Sequence, residues 1–132
     1  MQSITIQTKR GSGFIDITDE VEKAVVHSGI NDGIIMVFVP HTTAAVTINE
    51  NADPDVVHDL LLTLDELIPH IRTGYRHSEG NSDAHVKSSI IGSSVSVIVQ
   101  QGRLSLGTWQ GIYFCEFDGP RQRQVILQVC QK

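Results

Sequence analysis

The order of apolar and polar residues predicts a chain in which short strands predominate and three helices intervene. Runs that alternate between apolar and polar residues, or that are apolar throughout, predict strands at Ser3–Thr8, Phe14–Ile17, Ile34–Val39, Ala44–Glu50, Ser94–Val99, Arg103–Leu106, Gly111–Asp118 and Arg121–Cys130. Apolar residues spaced three or four apart predict helices that begin after caps at Asp19, Asp53 and Asp83. Gly29, Pro69 and Gly92 mark their ends.

Two of these strands have patterns with further consequences. The segment Ile34–Val39 is apolar at every position, which predicts a strand covered on both faces. In Ala44–Glu50 the residues on one face are apolar until Glu50. That carboxylate either sits at the solvated end of the sheet or is held for chemistry with a raised pKa.

The last two strands are predicted to form a hairpin around Gly119-Pro120, a pair compatible with a type II′ turn. In this register Asp118 faces Arg121 and Glu116 faces Arg123. One interpretation is a ladder of cross-strand ion pairs that stabilises the sheet. The other is a phosphate site in which the acids hold the arginine side chains in place.

Length and charge limit the classes of function. A chain of 132 residues is predicted to form one domain, residues 1–132, with a core of its own. A net charge of −5 argues against a nucleic-acid partner. No apolar run is long enough to span a membrane and the first residues lack a secretion signal, so we expect a cytoplasmic protein. Cys115 and Cys130 lie in predicted strands and are expected to be buried, reduced thiols.

The segment from Tyr75 to Lys87 holds the densest group of chemically active side chains. His77 and His85 bracket Glu79, Asn81 and Asp83, and Gly80 gives the backbone freedom to turn. The predicted helix start at Asp83 adds free N–H groups that attract anions. The segment is therefore either a site or an ordinary solvated connection.

Several long motifs resemble a known family. They are His41-Thr-Thr-Ala, Asn49-Glu50-Asn51, His77-x-Glu79-Gly80-Asn81-x-Asp83-Ala84-His85-x-Lys87, Ser94-x-x-Val97-x-Val99, Gly107-Thr108-Trp109-Gln110 and Glu116-x-Asp118-Gly119-Pro120-Arg121-x-Arg123. Together they resemble the YjbQ family from the first strand to the last. The resemblance implies an α+β fold, a two-sheet antiparallel sandwich of jelly-roll character with a few helices, and a homotrimer.

The implied activity is that of a secondary thiamine-phosphate synthase, which joins hydroxymethylpyrimidine pyrophosphate to hydroxyethylthiazole phosphate and releases pyrophosphate. The alternatives are a metal-dependent hydrolase of a small phosphorylated or amide metabolite, and a non-catalytic trimer that binds a metal or metabolite. The predicted partner is a small phosphorylated substrate.

The site residues that we predict fall into three sets. The catalytic set is His77, His85, Glu50 and Glu116; the substrate- or phosphate-binding set is Lys87, Arg121, Arg123, Asn81 and Trp109; the metal ligands are His41, His77, His85 and Asp83. Histidines favour zinc and carboxylates favour magnesium, so the predicted cofactor is a divalent ion of either kind. Trp109 either stacks on a substrate ring or packs in the fold.

Overall fold

Eight strands and three helices follow one another in a computed structural model that describes all 132 residues. The strands are β1 (Gln2–Gln7), β2 (Gly13–Asp16), β3 (Gly33–Phe38), β4 (Ala44–Glu50), β5 (Ser94–Gln100), β6 (Arg103–Leu104), β7 (Gln110–Glu116) and β8 (Gln122–Gln131). The helices are α1 (Thr18–Ser28), α2 (Pro54–Leu67) and α3 (Ser82–Ile91).

The strands form two antiparallel sheets, which we call sheet A and sheet B. Sheet A has the order β1-β8-β3-β5-β6 and sheet B the order β2-β7-β4. Successive strands mostly alternate between the two sheets, so the connections cross at the ends of the sandwich. This arrangement confirms the predicted α+β class and the two-sheet antiparallel architecture.

The predicted final hairpin is wrong. Strand β7 pairs with β2 and β4 in sheet B, whereas β8 pairs with β1 and β3 in sheet A. Phe117 to Arg121 carry the chain from one sheet to the other. Glu116 and Arg123 still meet, as predicted, but they do so across the interior of the sandwich. An inter-sheet contact of this kind is buried, unlike the exposed ladder that a hairpin would make.

The main core lies between the inner faces of the two sheets. Alternation along each strand places every second residue inside, and sheet A contributes Ile35, Val37, Val97, Val99, Val125 and Leu127. Sheet B contributes Val46, Ile112 and Phe114. Helix α1 closes one side with the stripe Val21, Ala24 and Val25, which was predicted from its helical spacing.

Strand β3 does not have the two covered faces that its apolar run predicts. Ile34, Met36 and Phe38 point away from the core and are between 38% and 47% exposed. Ile98 of the neighbouring strand lies directly opposite Ile34 and is also exposed. One chain therefore leaves an apolar patch on the outer face of sheet A.

Local hydrogen bonds explain where the helices begin. The Asp53 carboxylate accepts from the N–H of Asp55 at the start of α2, as a predicted cap should. Helix α1 begins earlier than predicted because Asp16 accepts from the N–H and hydroxyl of Thr18. Helix α3 begins after Asn81, so Asp83 lies inside the first turn, where it is buried.

Helices α2 and α3 lie against the outer face of sheet B. A second cluster forms there around Ala45, Tyr113 and Phe117, with Ala84 and Cys115. Helix α2 touches this cluster but has no buried residue of its own. None of the three helices combines the length and the apolar character that crossing a bilayer requires.

Candidate functional site

His41 and His85 line one pocket, which we call the histidine pocket. It has a volume of about 370 Å³ and is also lined by Thr42, Ser88, Ser89 and Ser93. Pro40 ends the run of β3 and leaves His41 in the corner before β4, while α3 carries His85. Backbone hydrogen bonds from Val46 to Gly92 and from Val39 to Ser93 hold the two walls together. The His77 ring meets the His85 ring edge to face, with 5.3 Å between centroids.

His41 is a neutral imidazole with a defined tautomer. Its Nε2 accepts a hydrogen bond from the backbone N–H of Gln124 at 2.9 Å. Burial lowers the pKa of His41, and the positive charge of Arg123 lowers it further. A neutral imidazole has one lone pair and one N–H. Because Nε2 uses the lone pair, Nδ1 carries the hydrogen, and it has no partner within the protein.

Ser88 gives the histidine pocket a second unused hydrogen-bonding group. Its hydroxyl is buried and has no hydrogen-bond partner, and the whole residue is 6% exposed. The neighbouring Ser89 differs, because its hydroxyl donates to the carbonyl of His85 at 2.9 Å. Buried polar groups without a partner are rare in folded proteins, so the Ser88 hydroxyl is left to bond a water molecule or a ligand.

Arg123 and Glu116 form an ion pair that is almost wholly buried. The two side chains are 3% and 2% exposed, and Arg123 Nε donates to Glu116 Oε2 at 2.8 Å. A further Arg123 nitrogen donates to the Thr43 hydroxyl at 2.8 Å, and the Thr8 hydroxyl donates to Glu116 at 2.9 Å. The Arg123 side chain is therefore committed inside the protein and does not match its predicted role in phosphate binding.

The hydrogen bonds around Glu116 keep its carboxylate ionised. Burial alone would raise the pKa of Glu116, but hydrogen bonds from Arg123, from the N–H of Asp118 and from Thr8 outweigh burial and lower that pKa. A carboxylate that is enclosed and held in its charged form is poorly suited to proton transfer. The predicted catalytic role of Glu116 is accordingly not supported by its geometry.

Lys87 and Asp83 face a different pocket from the histidines. Lys87 Nζ lies 2.6 Å from Asp65 Oδ1 and 3.9 Å from Asp83 Oδ2, and its side chain is 3% exposed. Asp83 also contacts His70 at 3.1 Å. All four residues line a cavity of about 460 Å³ that shares no residue with the histidine pocket. The structure therefore separates Lys87 and Asp83 from the histidines with which they were predicted to act.

Asn81 and Arg121 converge on Asp118. Asn81 Nδ2 donates to Asp118 Oδ2 at 2.7 Å, and Arg121 Nη2 donates to the same oxygen at 3.1 Å. Arg121 is about half exposed, so it keeps donors that face solvent. Asn81 also has a buried Oδ1 without a partner. Both side chains keep unused groups, and their predicted substrate contacts stay a prediction.

Glu50 and Trp109 lie at the opposite end of sheet B from His41. Ala44 at one end of β4 pairs with Glu116, and Glu50 at the other end pairs with Gln110. Six steps along a strand span about 20 Å. Trp109 precedes Gln110 and is 63% exposed. Within one chain, neither side chain joins the histidines, contrary to the predicted grouping.

The predicted metal ligands do not form a complete ligand set in one chain. The lone pair of His41 is already used by Gln124, and Asp83 lines another pocket. Only His77 and His85 remain together, whereas zinc sites in proteins use three or four protein ligands. No group of three or more His, Cys, Asp or Glu side chains is placed to hold a metal ion. Binding of a divalent metal ion therefore stays a prediction.

The serines of the histidine pocket were missed from the sequence. Ser88, Ser89 and Ser93 belong to no recognisable motif, and a serine in a helix is usually exposed. The one indication in the sequence was that several serines occur at and after the end of α3, where residues with a high helix propensity would be expected. Thr8 and Thr43 were missed for a similar reason, because their partners lie far away in the sequence.

Comparison with known proteins identifies relatives along the whole chain. The family model described as UPF0047 protein YjbQ-like matches residues 2–132. UPF0047 protein YugU of Bacillus subtilis is 52% identical over 129 residues, which cover 98% of this chain and 98% of YugU. A YjbQ/UPF0047 family protein from Clostridium acetobutylicum has 53% identity and a TM-score of 0.96, covering 98% of this chain and 100% of that chain. A YbjQ-like protein of unknown function from Sulfolobus solfataricus has 34% identity and a TM-score of 0.95. The match covers 99% of this chain and 96% of that chain.

These relatives overturn the predicted activity. They are UPF0047 proteins of unknown function, and thiamine-phosphate synthases form a distinct family. The prediction that this chain is a thiamine-phosphate synthase is therefore wrong, and the transferase assignment has no support. The motifs identified the family correctly, but membership of the family does not show that a protein catalyses that reaction.

The lowered pKa of His41 predicts a specific pH dependence of stability. Below a pH of about 6.5 the unfolded chain binds a proton at this residue more readily than the folded protein, so the free energy of unfolding falls as the pH falls. Replacing His41 by Gln keeps an acceptor for the Gln124 N–H but removes the titrating group. We expect a smaller loss of stability between pH 7.5 and pH 5.5 in His41→Gln, measured by urea unfolding.

The control is His27→Gln, which makes the same substitution at an exposed histidine outside every ion pair. Glu116 does not interfere, because its lowered pKa affects stability only below a pH of about 4.5. An unchanged slope in His41→Gln would show that His41 is not held neutral by its surroundings.

Proposed function

The chain belongs to the UPF0047 YjbQ-like family, and we propose that it binds a small metabolite through a phosphate or carboxylate group in the histidine pocket. Family membership supplies the fold, so the proposal rests on the side chains of this pocket. His41, His85 and Ser88 are the residues that carry it.

The observation that supports this proposal best is the unpartnered hydroxyl of Ser88. Leaving a buried polar group unsatisfied costs about 1–3 kcal/mol, and a ligand that completes the hydrogen bonds removes this cost. The N–H at Nδ1 of His41 is a second donor without a protein partner. Two free donors on opposite walls of one pocket favour a ligand group that is rich in acceptor oxygens.

The electrostatics of the pocket also favour an anionic group. The Arg123 charge is close enough to influence the pKa of His41, although its hydrogen bonds are directed at Glu116 and Thr43. The histidine pocket itself contains no carboxylate. The ionised Glu116 is also close enough to influence His41, but Arg123 and Arg121 set two positive charges against it. A phosphate or carboxylate would therefore meet neutral donors on the side where positive charge prevails.

His85 and His77 give the same pocket a capacity for proton transfer. His85 lines the pocket and His77 packs against its ring, so a ligand held by His41 and Ser88 would lie beside an imidazole that can accept or donate a proton. We propose these two as the residues that act on a bound metabolite, since neither Glu50 nor Glu116 lines this pocket.

A Ser88→Ala variant separates ligand binding from structural support. Removal of an unpartnered hydroxyl should leave the free energy of unfolding unchanged or raise it slightly, because no internal hydrogen bond is lost. Loss of a hydrogen bond to a charged ligand should weaken binding by about 10- to 100-fold. Isothermal titration with inorganic phosphate and with a small phosphate ester, together with urea unfolding, measures both effects.

The matched control is Ser89→Ala, which removes a hydroxyl that already has an internal acceptor in His85. It should bind phosphate as the wild type does and lose a little stability. Equal phosphate affinity in Ser88→Ala and wild type would contradict the proposal, as would an absence of binding to either compound.

We also propose that copies of the chain associate through the outer face of sheet A, in the homotrimer that the family resemblance implies. The sequence of β3 has the pattern of a strand covered on both faces, yet one chain covers only one of them. Exposed apolar patches of this kind commonly mark protein–protein interfaces. A second copy would supply the missing cover.

A Met36→Lys variant tests this association. Met36 lies in the middle of the exposed face of β3, so a buried charge there should break the interface while leaving the core of the chain intact. Sedimentation equilibrium should give a trimer for the wild type and a monomer for the variant. A monomeric wild type, or a variant of unchanged mass, would contradict the proposal.

The cytoplasm is the compartment that we propose. Both cysteines are free thiols, and unpaired cysteines are typical of proteins from reducing compartments. Burial strongly raises the pKa of Cys115, which makes that thiol unreactive, whereas Cys130 is exposed rather than buried as predicted.

A further inference from the structure

A second cavity lies where the edges of the two sheets face each other, and we call it the edge cavity. It has a volume of about 350 Å³ and is bounded by β1, β2, the segment between them, and helix α2. Its walls are the apolar side chains of Ile6, Phe14, Ile15, Val57 and Leu61. It shares no residue with the histidine pocket, so an occupant would contact none of the residues that line that pocket.

Helix α2 is held over this cavity without filling it. An amphipathic helix on a globular protein normally buries its apolar side, but α2 has no buried residue, and Val57 and Leu61 are only partly covered. Protein interiors are packed closely and rarely leave large spaces between apolar walls. A space of this size lies within the range of ligand pockets.

The mouth of the edge cavity carries positive charge without a counter-charge. Lys9 and Arg10 both line it, both are exposed, and neither takes part in an ion pair. Glu116 also borders the cavity, but Arg123 compensates its charge and the Thr8 hydroxyl donates a hydrogen bond to it. In a chain with a net charge of −5, two adjacent free cations beside an apolar cavity are complementary to an anion with an apolar body.

The segment that carries these cations is firmly held. Thr8 N–H donates to the Arg121 carbonyl at 2.9 Å, and Gly119 N–H donates to the Gly11 carbonyl at 2.9 Å. A Cβ atom on Gly119 would clash with the Arg10 carbonyl oxygen, so only glycine allows the two segments to pack this closely. A fixed backbone reduces the entropy lost when a ligand binds at the mouth.

We infer that the edge cavity binds a small amphipathic anion, namely an alkyl carboxylate whose chain lies between α2 and the sheet edges and whose charged group meets Lys9 and Arg10. The apolar walls select the chain and the two cations select the sign of the head group. The occupant is a free small molecule and not a second copy of this chain.

A series of unbranched carboxylates tests the inference on the intact protein. Each methylene added between butanoate and octanoate should tighten binding by about fourfold, because each is transferred from water to apolar walls. Octylamine, with the same chain and the opposite charge, should bind at least tenfold more weakly than octanoate. Isothermal titration gives the affinities, and amide shifts in nuclear magnetic resonance spectra should fall on residues 6–15 and on α2.

The double variant Lys9→Gln/Arg10→Gln should weaken octanoate binding at least tenfold, while the control Lys23→Gln, an exposed lysine on α1, should bind as wild type does. The inference would be overturned if the affinity were the same for all carboxylates from butanoate to octanoate. Equal affinity for octanoate and octylamine would also overturn it. So would an absence of saturable octanoate binding. If Leu61→Gln dissociates an oligomer, the cavity is filled by a second copy of the chain. That result would also overturn the inference.

Discussion

The structure depends on the buried ion pair between Glu116 and Arg123. Glu116 ends β7 in sheet B and Arg123 begins β8 in sheet A, so the pair joins the two sheets across the end of the sandwich where the chain crosses between them. Thr8 and Thr43 complete its hydrogen bonds from each sheet. A pair buried in this way adds little to stability compared with a well-packed apolar substitute, but it makes the alignment of the sheets specific, because either charge alone would be very costly to bury.

The alignment of the two sheets determines where the side chains of the histidine pocket lie. Gln124 follows Arg123 in β8 and donates to His41, while Thr43 binds Arg123 two residues after His41. The ion pair thus lies beside both segments that position the imidazole, and the charge of its arginine lowers the pKa of His41. Two of the three cations expected to bind phosphate are instead paired within the protein, Arg123 with Glu116 and Lys87 with Asp65, whereas Arg121 is half exposed. The histidine pocket is left with neutral donors.

Sequence reasoning located the strands, the helices and the family because these depend on local periodicity and on contiguous motifs. It also paired Glu116 with Arg123, but from the register of a hairpin that does not form; the two side chains still meet because both point into the interior between the sheets. It assigned them to the wrong kind of contact because periodicity shows which face a residue occupies but not which strand lies beside it. The same limit applies to Glu50 and Trp109, whose distance from His41 follows from strand pairing. Ser88 could not be found, because the absence of a partner is a property of the packed structure alone.

The central claim is that Glu116 and Arg123 act as one unit that joins the two sheets. A double-mutant cycle on the free energy of unfolding, with Glu116→Gln, Arg123→Met and the combined variant measured in urea at pH 7, tests it most directly. Each single substitution should cost about 3–5 kcal/mol by leaving a buried group uncompensated, and the double variant should lose far less than the sum. Additive losses would contradict the account, because they would show that the two side chains stabilise the protein independently.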